Sequence, residues 1–211
     1  MNILIVGAGE IWQEGLCKLY SKSDYVICVD GGSKVFKKFN LSADLYLGDF
    51  DSTTTENHLY MLNHSKKVLE FPAEKNKTDL EIALDIAVER KCDKINILGA
   101  TGSRLDHTLS NINLLSRYFS EKVQITLYSE HHEIFYAECD VDIFSNKQYF
   151  SVFPISKEGA VVSMSGCKYP LNNQIISFAS SIGVSNEFID KKVHIEVYRG
   201  GILIFLSNEE K

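Results

Sequence analysis

The sequence predicts an α/β N-terminal domain, with a mostly parallel sheet flanked by helices, followed by an all-β C-terminal sandwich. Short apolar runs alternate with amphipathic segments over the first part of the chain, as in a doubly wound sheet. Further along, short runs rich in Val, Ile, Thr, Phe and Tyr are separated by turns, and no long helical period remains. We therefore expect two domains, residues 1–129 and 130–211.

The first domain is predicted to alternate six strands with five helices. Its strands are expected at residues 2–6, 25–29, 45–47, 67–71, 94–98 and 123–128. Its helices are expected at residues 11–20, 33–39, 56–63, 79–90 and 106–119. The fourth helix has the clearest signal, because Thr78 and Glu81 form a capping box ahead of an apolar face. The second domain is predicted to have strands at 133–137, 149–154, 160–165, 174–178, 194–198 and 202–206.

The composition argues against two classes of partner. A hydrophobic content of 45% in 211 residues is enough for one or two globular cores. The net charge of −6 argues against nucleic acid as the main partner, because phosphate backbones require basic surfaces. No apolar run approaches the ~20 residues of a membrane span. Five scattered cysteines without a C-x-x-C motif indicate reduced thiols, so we expect a cytoplasmic protein.

Glycines, carboxylates and cations follow the predicted strands of the first domain. Ligands of a doubly wound sheet bind outside the carboxyl ends of its strands, so these residues are expected to share one site. In chain order the segments are 7–9 (GAG), 30–32 (DGG), 48–52 (GDFDS), 74–79 (EKNKTD) and 99–107 (GATGSRLDH).

Phosphate transfer with Mg²⁺ is the chemistry that these residues favour, because Mg²⁺ prefers carboxylate and phosphate oxygens. Asp49 and Asp51 are two residues apart, so both point the same way if the segment is extended. Asp79 begins a helix, whose dipole favours a carboxylate there. Gly102 and its neighbours let backbone N–H groups approach phosphate, and Arg104 can pair with phosphate through its planar guanidinium. Asp49, Asp51 and Asp79 are therefore predicted to hold Mg²⁺ against a polyphosphate.

Each of these residues also has a purely structural interpretation. Asp79 and Asp106 are ordinary first-turn helix acids, and Asp49 and Asp51 are common turn residues. Residues 30–32 are equally compatible with a tight turn. The sequence lacks G-x-G-x-x-G and G-x-x-x-x-G-K-[ST], which argues against a dinucleotide-binding fold and a P-loop enzyme.

The ordered set of motifs resembles the thiamine pyrophosphokinase family over nearly the whole chain. The resemblance implies an α/β nucleotide-binding catalytic domain and a β-sandwich that binds thiamine and dimerises. It also implies a homodimer that uses Mg²⁺ and ATP to make thiamine diphosphate and AMP, with the thiamine site at the dimer interface. The matching segments are 30–32, 48–52, Lys75-x-x-Thr78-Asp79, Gly102-x-Arg104-x-Asp106-His107, 166–171 (GCKYPL) and 183–187 (GVSNE).

The resemblance implies roles for individual residues. The metal-facing acids are Asp49, Asp51 and Asp79, and the catalytic residues are Asp30, Asp79, Arg104 and Asp106. The ATP contacts are Asp49, Lys75, Thr101, Gly102, Arg104 and His107. The thiamine contacts are Thr78, Asp106, Tyr169, Ser185 and Asn186. We expect the thiamine hydroxyl to attack the β-phosphorus of ATP, with Asp79 and Asp106 as candidate proton acceptors between which the sequence does not decide.

The chain departs from the family pattern at two positions. Asn76 stands where many members have an acid, and Ser103 replaces a frequent glycine. Asn76 therefore puts one metal or supporting contact in question, and Ser103 restricts its loop slightly. Neither change removes a residue assigned to the metal.

Two other functions fit parts of the pattern. Asp49-x-Asp51-x-Thr53 after a strand imitates the nucleophile motif of haloacid dehalogenase-type phosphatases, in which Asp49 would form an aspartyl-phosphate. The run from Gly102 to His107 has no place in that mechanism. A non-catalytic nucleotide or thiamine sensor is the other alternative, although a pure binding protein does not require this many acids around a polyphosphate.

Overall fold

The computed structural model describes residues 1–208, which form two compact units. The first unit spans Met1–Glu130 and the second begins at His131. The first unit combines helices with a parallel sheet, and the second contains antiparallel strands. The predicted fold class is therefore confirmed.

The sheet of the first unit consists of six parallel strands in the order β4-β3-β2-β1-β5-β6. The strand order reverses at β1, which pairs with β2 on one side and β5 on the other. A crevice is therefore expected beyond the carboxyl end of β1. The strands are β1 (Asn2–Val6), β2 (Tyr25–Val29), β3 (Ala43–Gly48), β4 (Ser65–Glu70), β5 (Lys94–Leu98) and β6 (Gln124–Tyr128).

Helices cover the sheet because the central strands β1 and β2 are buried and apolar over four consecutive residues each. Leu4 and Val6 of β1 pack in one buried cluster with Leu16 and Met61 from the helices. Alternate positions of β1 are buried as well, and α4 contacts β1, β2 and β3. The helices are α1 (Gln13–Tyr20), α2 (Ser33–Lys38), α3 (Thr55–His64), α4 (Asp79–Glu89) and α5 (Leu105–Arg117). Of the helices between residues 1 and 208, none has the length and apolar character needed to span a bilayer.

The second unit is a sandwich of two antiparallel sheets. One sheet has the order β11-β10-β13-β8, and the strands of the other follow the order β12-β9-β14-β7. Their inward side chains form one buried cluster that includes Phe150, Val162 and Ile204. The strands are β7 (His132–Ala137), β8 (Val141–Phe144), β9 (Tyr149–Pro154), β10 (Ala160–Ser165), β11 (Leu171–Ile176), β12 (Asn186–Glu187), β13 (Lys192–Arg199) and β14 (Ile202–Ser207).

All predicted strands and helices are present, but the second unit differs in three details. The strand predicted at 174–178 lies at Leu171–Ile176, and β8 and β12 have no predicted counterpart. In β8 only Ile143 is buried, while Phe144 is 72% exposed, so the apolar alternation is weak. β12 contains two residues, which is too short for a periodic signal.

Candidate active site

A cavity of about 860 Å³ lies at the carboxyl ends of the parallel strands. Residues from the ends of β1, β2, β3 and β5 line it, as expected where the strand order reverses. Every site residue predicted in the first domain contributes to the lining: Asp30, Asp49, Asp51, Lys75, Thr78, Asp79, Thr101, Gly102, Arg104, Asp106 and His107.

Three carboxylates meet inside this cavity. Asp30, Asp49 and Asp79 each present one oxygen, and these oxygens lie within 4.8 Å of one another. The Oδ1 atoms of Asp30 and Asp79 are buried and have no hydrogen-bond partner. Asp30, predicted as catalytic, therefore belongs to this group of three acids, and the predicted ligand Asp51 does not. Asp51 is exposed and lines the same cavity, so its role as a ligand stays a prediction.

The backbone after β2 brings Asp30 against β3. Asp30 has a φ of +42°, which is unusual for a residue other than glycine, and it begins a short 3₁₀ turn, Asp30–Gly32. Gly48 has a φ of +152°, and a Cβ built there would lie 2.8 Å from the Asp30 Cβ. Only glycine allows this close approach without movement of the neighbouring backbone.

The segment from Asp49 to Asp51 is not extended, contrary to the expectation from the sequence. Phe50 has a φ of +63°, so the chain turns between the two acids. The Phe50 ring packs against Tyr46, with centroids 4.4 Å apart, and against His58 at 4.7 Å. These contacts hold a strained backbone conformation and so determine where Asp49 points.

The electrostatic surroundings differ among the three acids. Burial raises the pKa of the Asp30 and Asp79 carboxyls, and the nearby carboxylates add to this effect. Burial also raises the pKa of Asp49, but hydrogen bonds from Asp51 and Lys75 outweigh it, and the net shift is downward. A nearby positive charge therefore favours the ionised form of the cluster.

Lys75 supplies one positive charge to this cluster. Its Nζ lies 3.3 Å from Asp49 Oδ2 and 3.2 Å from Asp79 Oδ1, and it donates to the Pro72 carbonyl at 2.9 Å. The contact with Asp79 is an ion pair without hydrogen-bond geometry. Burial lowers the pKa of Lys75, but the two carboxylates outweigh burial and raise it.

The loop that carries Lys75 is anchored to α4. Thr78 is the N-cap of this helix, and its hydroxyl accepts a hydrogen bond from the Glu81 N–H at 3.2 Å. Lys77 Nζ donates to Asp85 at 2.7 Å, and Asp85 also accepts from Tyr118 at 2.6 Å. Since Thr78 already bonds the helix, its predicted contact with thiamine requires the hydroxyl to serve both partners.

Two glycine loops form one wall of the cavity. The N–H groups of Gly7 and Gly9 donate to the carbonyls of Leu98 and Gly99, both at 2.8 Å. A Cβ built at Gly9 would lie 2.2 Å from the Thr101 carbonyl oxygen, so a side chain there would separate the loops. The glycines of segment 7–9 therefore allow the backbones after β1 and β5 to pack closely.

Helix α5 holds the second glycine loop through two side chains that the sequence analysis missed. The Thr108 hydroxyl accepts from the Gly102 N–H at 3.2 Å and lies 3.4 Å from the Gly102 carbonyl. Asn111 donates to the Ala100 carbonyl at 2.8 Å. Thr108 and Asn111 are three residues apart and lie on one face of the helix, and this spacing was the feature of the sequence that could have identified them. The Gly102 N–H, expected to approach phosphate, is therefore used by Thr108.

Arg104 and Asp106 lie at the exposed beginning of α5. Arg104 pairs with Asp106 at 2.6 Å, and the two side chains are 68% and 65% exposed. This pairing is the main cause of the lowered pKa of Asp106. His107 Nε2 lies 3.9 Å from the same carboxylate. Arg104 is thus held at the cavity by its neighbour but remains open to solvent.

The remaining predicted thiamine contacts, Tyr169, Ser185 and Asn186, lie in the second unit. Asn186 is 2% exposed, and its amide accepts from the N–H of Tyr169 at 3.0 Å and donates to the Tyr169 carbonyl at 2.8 Å. Tyr169 itself is 56% exposed. Ser185 has a φ of +53° and its N–H donates to Ser151 Oγ at 3.0 Å. Asn186 thus fixes the turn that presents the Tyr169 ring.

Acids, cations and glycine loops therefore converge at the carboxyl ends of a parallel sheet in a chain that continues into a β-sandwich. This combination defines a two-domain enzyme that transfers a phosphate-containing group. A sequence model described as "Thiamin pyrophosphokinase, catalytic domain" matches residues 16–127. A second, described as "Thiamin pyrophosphokinase, vitamin B1 binding domain", matches residues 131–203. The chain belongs to the thiamin pyrophosphokinase family.

Individual relatives agree with this assignment. The thiamine pyrophosphokinase of Bacillus subtilis (strain 168) is 34% identical over 165 residues, which are 77% of each chain. A crystal structure of the Bacillus subtilis enzyme matches with a TM-score of 0.88 at 31% identity over the whole of both chains. The Geobacillus thermodenitrificans structure matches with a TM-score of 0.86 at 31% identity, covering 100% of this chain and 99% of that one.

The known reaction of the family is the transfer of the pyrophosphoryl group of ATP to thiamine, which gives thiamine diphosphate and AMP. The predicted family, reaction and enzyme class are therefore confirmed. The roles predicted for individual residues stay predictions.

Substitution of Thr108 tests whether its hydroxyl holds the loop at Gly102. We expect Thr108→Val to raise the KM for ATP by about fivefold to tenfold, because a lost hydrogen bond costs ~1 kcal/mol and frees the loop at Gly102. Thr108→Ser keeps the hydroxyl and is expected to restore the KM. Steady-state kinetics with varied ATP measure both, and equal KM values for the valine and serine variants contradict this role.

Proposed function

We propose that the cavity at the strand ends binds ATP with Mg²⁺, and that the acid cluster of Asp30, Asp49 and Asp79 holds the metal. The observation that carries this proposal is the pair of buried oxygens on Asp30 and Asp79 that have no hydrogen-bond partner within residues 1–208 and lie within 4.8 Å of an oxygen of Asp49, with only the Lys75 ammonium beside the Asp79 oxygen. Burying such an oxygen without a hydrogen-bond partner or a cation costs free energy of folding, because the oxygen loses its contacts with water. A hard divalent cation satisfies them, so the residues present fit Mg²⁺.

Asp51 completes this set from the exposed side of the cavity. It follows the Phe50 turn and is an exposed residue of the cavity lining. We assign Asp51 to the same Mg²⁺–triphosphate assembly, as the family resemblance implies. The bound metal supplies positive charge that neutralises phosphate oxygens.

The chain's own cations act on the phosphates from two directions. Lys75 reaches the centre of the cavity from the loop before α4. Arg104 stands at its exposed edge, where the Asp106 carboxylate holds the guanidinium. We propose that Arg104 stabilises charge on the transferring group and that Asp106 keeps Arg104 in place. The 2.6 Å contact between Asp106 and Arg104 agrees with a positioning role.

Substitution of the acids tests the metal site. We expect Asp49→Asn and Asp79→Asn to lower turnover by about a hundredfold or more and to abolish Mn²⁺ binding in the presence of a nucleotide, because a neutral amide is a poor ligand. Thiamine-dependent AMP formation measures turnover. Asp24→Asn is the matched control, because Asp24 bonds Asn2 at the opposite end of β1.

Three outcomes of this assay would contradict the proposal. Near-normal turnover of both variants at ordinary Mg²⁺ concentration would remove the metal assignment. Phosphate release without thiamine, together with a trapped phosphoenzyme, would favour the phosphatase alternative. Nucleotide binding without AMP release in the unsubstituted protein would favour a sensor.

We propose that the second unit contributes thiamine contacts through Tyr169, Ser185 and Asn186. Thiamine is a cation, and the exposed Tyr169 ring, which carries the Lys168 ammonium 5.5 Å from its centroid, offers its other face for a cation–π contact. Asn186 acts through Tyr169, because its amide is engaged with the backbone of that residue. The backbone of the turn is therefore set before the ligand arrives.

Removal of the Tyr169 ring tests this site. We expect Tyr169→Ala to raise the KM for thiamine by about tenfold, the scale of a partly desolvated cation–π contact, and to leave the KM for ATP unchanged. Tyr198→Ala is the control, because Tyr198 is a similarly exposed tyrosine of the second unit. Equal effects of both substitutions on the KM for thiamine would rule out a specific role for Tyr169.

We also propose that the protein is a cytoplasmic homodimer. The five cysteines are free thiols, which agrees with a reducing compartment. Dimerisation follows from the family resemblance. Sedimentation equilibrium is expected to give twice the 23.8 kDa mass of the chain, and a monomer at the concentrations used for activity assays would contradict it.

A further inference from the structure

Lys75 lies where the proposed metal ligands are closest together. Its ammonium contacts Asp49 Oδ2 at 3.3 Å and Asp79 Oδ1 at 3.2 Å. The three side chains are well covered, with 15% of Asp49, 16% of Lys75 and 18% of Asp79 exposed. Because solvent screening is reduced there, the lysine strongly offsets the mutual repulsion of the acids.

The neighbouring cations of the cavity are committed to other acids. Lys77, two residues away, pairs with Asp85 at 2.7 Å. Arg104 pairs with Asp106 at 2.6 Å. Lys75 is therefore the cation that the loop directs into the cluster, and Lys77 provides a matched comparison from the same loop.

A divalent ion held by Asp49 and Asp79 would lie beside the Lys75 ammonium, which contacts one oxygen of each acid. An ion that binds Asp49 Oδ2 and Asp79 Oδ1 would lie within a few ångströms of Nζ, where two positive charges repel each other. A lysine side chain has a long flexible stem and can move its charge to another anion. The triphosphate of the nucleotide is such an anion, and it arrives at the same cavity.

Given the proposed metal site, we propose that Lys75 is an exchangeable counter-cation that couples metal binding to nucleotide binding. Without nucleotide, Lys75 holds Asp49 and Asp79 and weakens the binding of a divalent ion. With nucleotide, the ammonium pairs with the phosphates and releases both carboxylates to the metal. Because coupling between two sites is reciprocal, the metal strengthens nucleotide binding by the same factor.

Metal titrations in the absence of nucleotide test this coupling. We expect Lys75→Met to bind Mn²⁺ about tenfold more tightly than the unsubstituted protein, within the range typical of coupled sites. The increase in Mn²⁺ affinity caused by a non-hydrolysable ATP analogue is expected to shrink in this variant. Free Mn²⁺ is measured by electron paramagnetic resonance, so catalysis is not needed for the readout.

Three further variants control for charge and folding. Lys75→Arg keeps the charge, and Lys77→Met removes a charge from the same loop, so both are expected to bind Mn²⁺ as the unsubstituted protein does. Lys75→Gln is a second variant that removes the charge, for use if Lys75→Met folds poorly. It is expected to tighten Mn²⁺ binding in the same way. Without its counter-cation the cluster is strained by repulsion, so we expect the Tm of Lys75→Gln in EDTA to fall and the gain in Tm on adding Mn²⁺ to grow.

The outcomes separate this inference from the proposed metal site. Equal Mn²⁺ affinities for the unsubstituted protein, Lys75→Met and Lys75→Gln would overturn the counter-cation role and leave the metal site intact. Weaker Mn²⁺ binding in both variants would also overturn it, because it would make Lys75 a support of the site. Loss of Mn²⁺ binding in all proteins, even with nucleotide present, would instead overturn the metal site.

Discussion

The close approach of three carboxylates at the edge of the parallel sheet is the constraint on which the active site depends. Like charges within 4.8 Å oppose one another, and burial adds to the cost of ionising Asp30 and Asp79. The fold accommodates this by placing the ammonium of Lys75 between two of the acids. The ammonium therefore offsets part of the repulsion between these acids.

A rigid frame is needed to hold acids in such an arrangement. Buried parallel strands supply it, because β1, β2 and β3 end side by side and direct their following loops into one crevice. The loops then adopt conformations that residues other than glycine rarely adopt, at Asp30 and at Phe50. The aromatic contacts of Phe50 with Tyr46 and His58 stabilise the second of these. The packing of the Phe50 ring therefore influences the position of the neighbouring Asp49 carboxylate.

The two units use buried or half-buried polar side chains in the same way. In the α/β unit, Thr108 and Asn111 bind the backbone of a glycine loop and leave the beginning of α5 exposed. In the sandwich, the amide of Asn186 binds the backbone of Tyr169 and leaves the ring exposed. In each unit a side chain near the proposed site forms hydrogen bonds with backbone atoms, and a neighbouring residue remains exposed to solvent.

The sequence by itself determined the order of strands and helices in the α/β unit, the fold class and the family, and it identified many of the residues that line the cavity, although not Thr108 or Asn111. Hydrophobic periodicity and the position of polar residues after strands are local properties, and they carry this information. Only the tertiary structure decided which acids meet. Asp30 joins Asp49 and Asp79, because the left-handed conformations of Asp30 and Phe50 turn the chain in ways that residue spacing does not reveal. The contacts of Lys75, Thr108 and Asn186 were equally hidden, because each depends on side chains and backbone atoms brought together by packing.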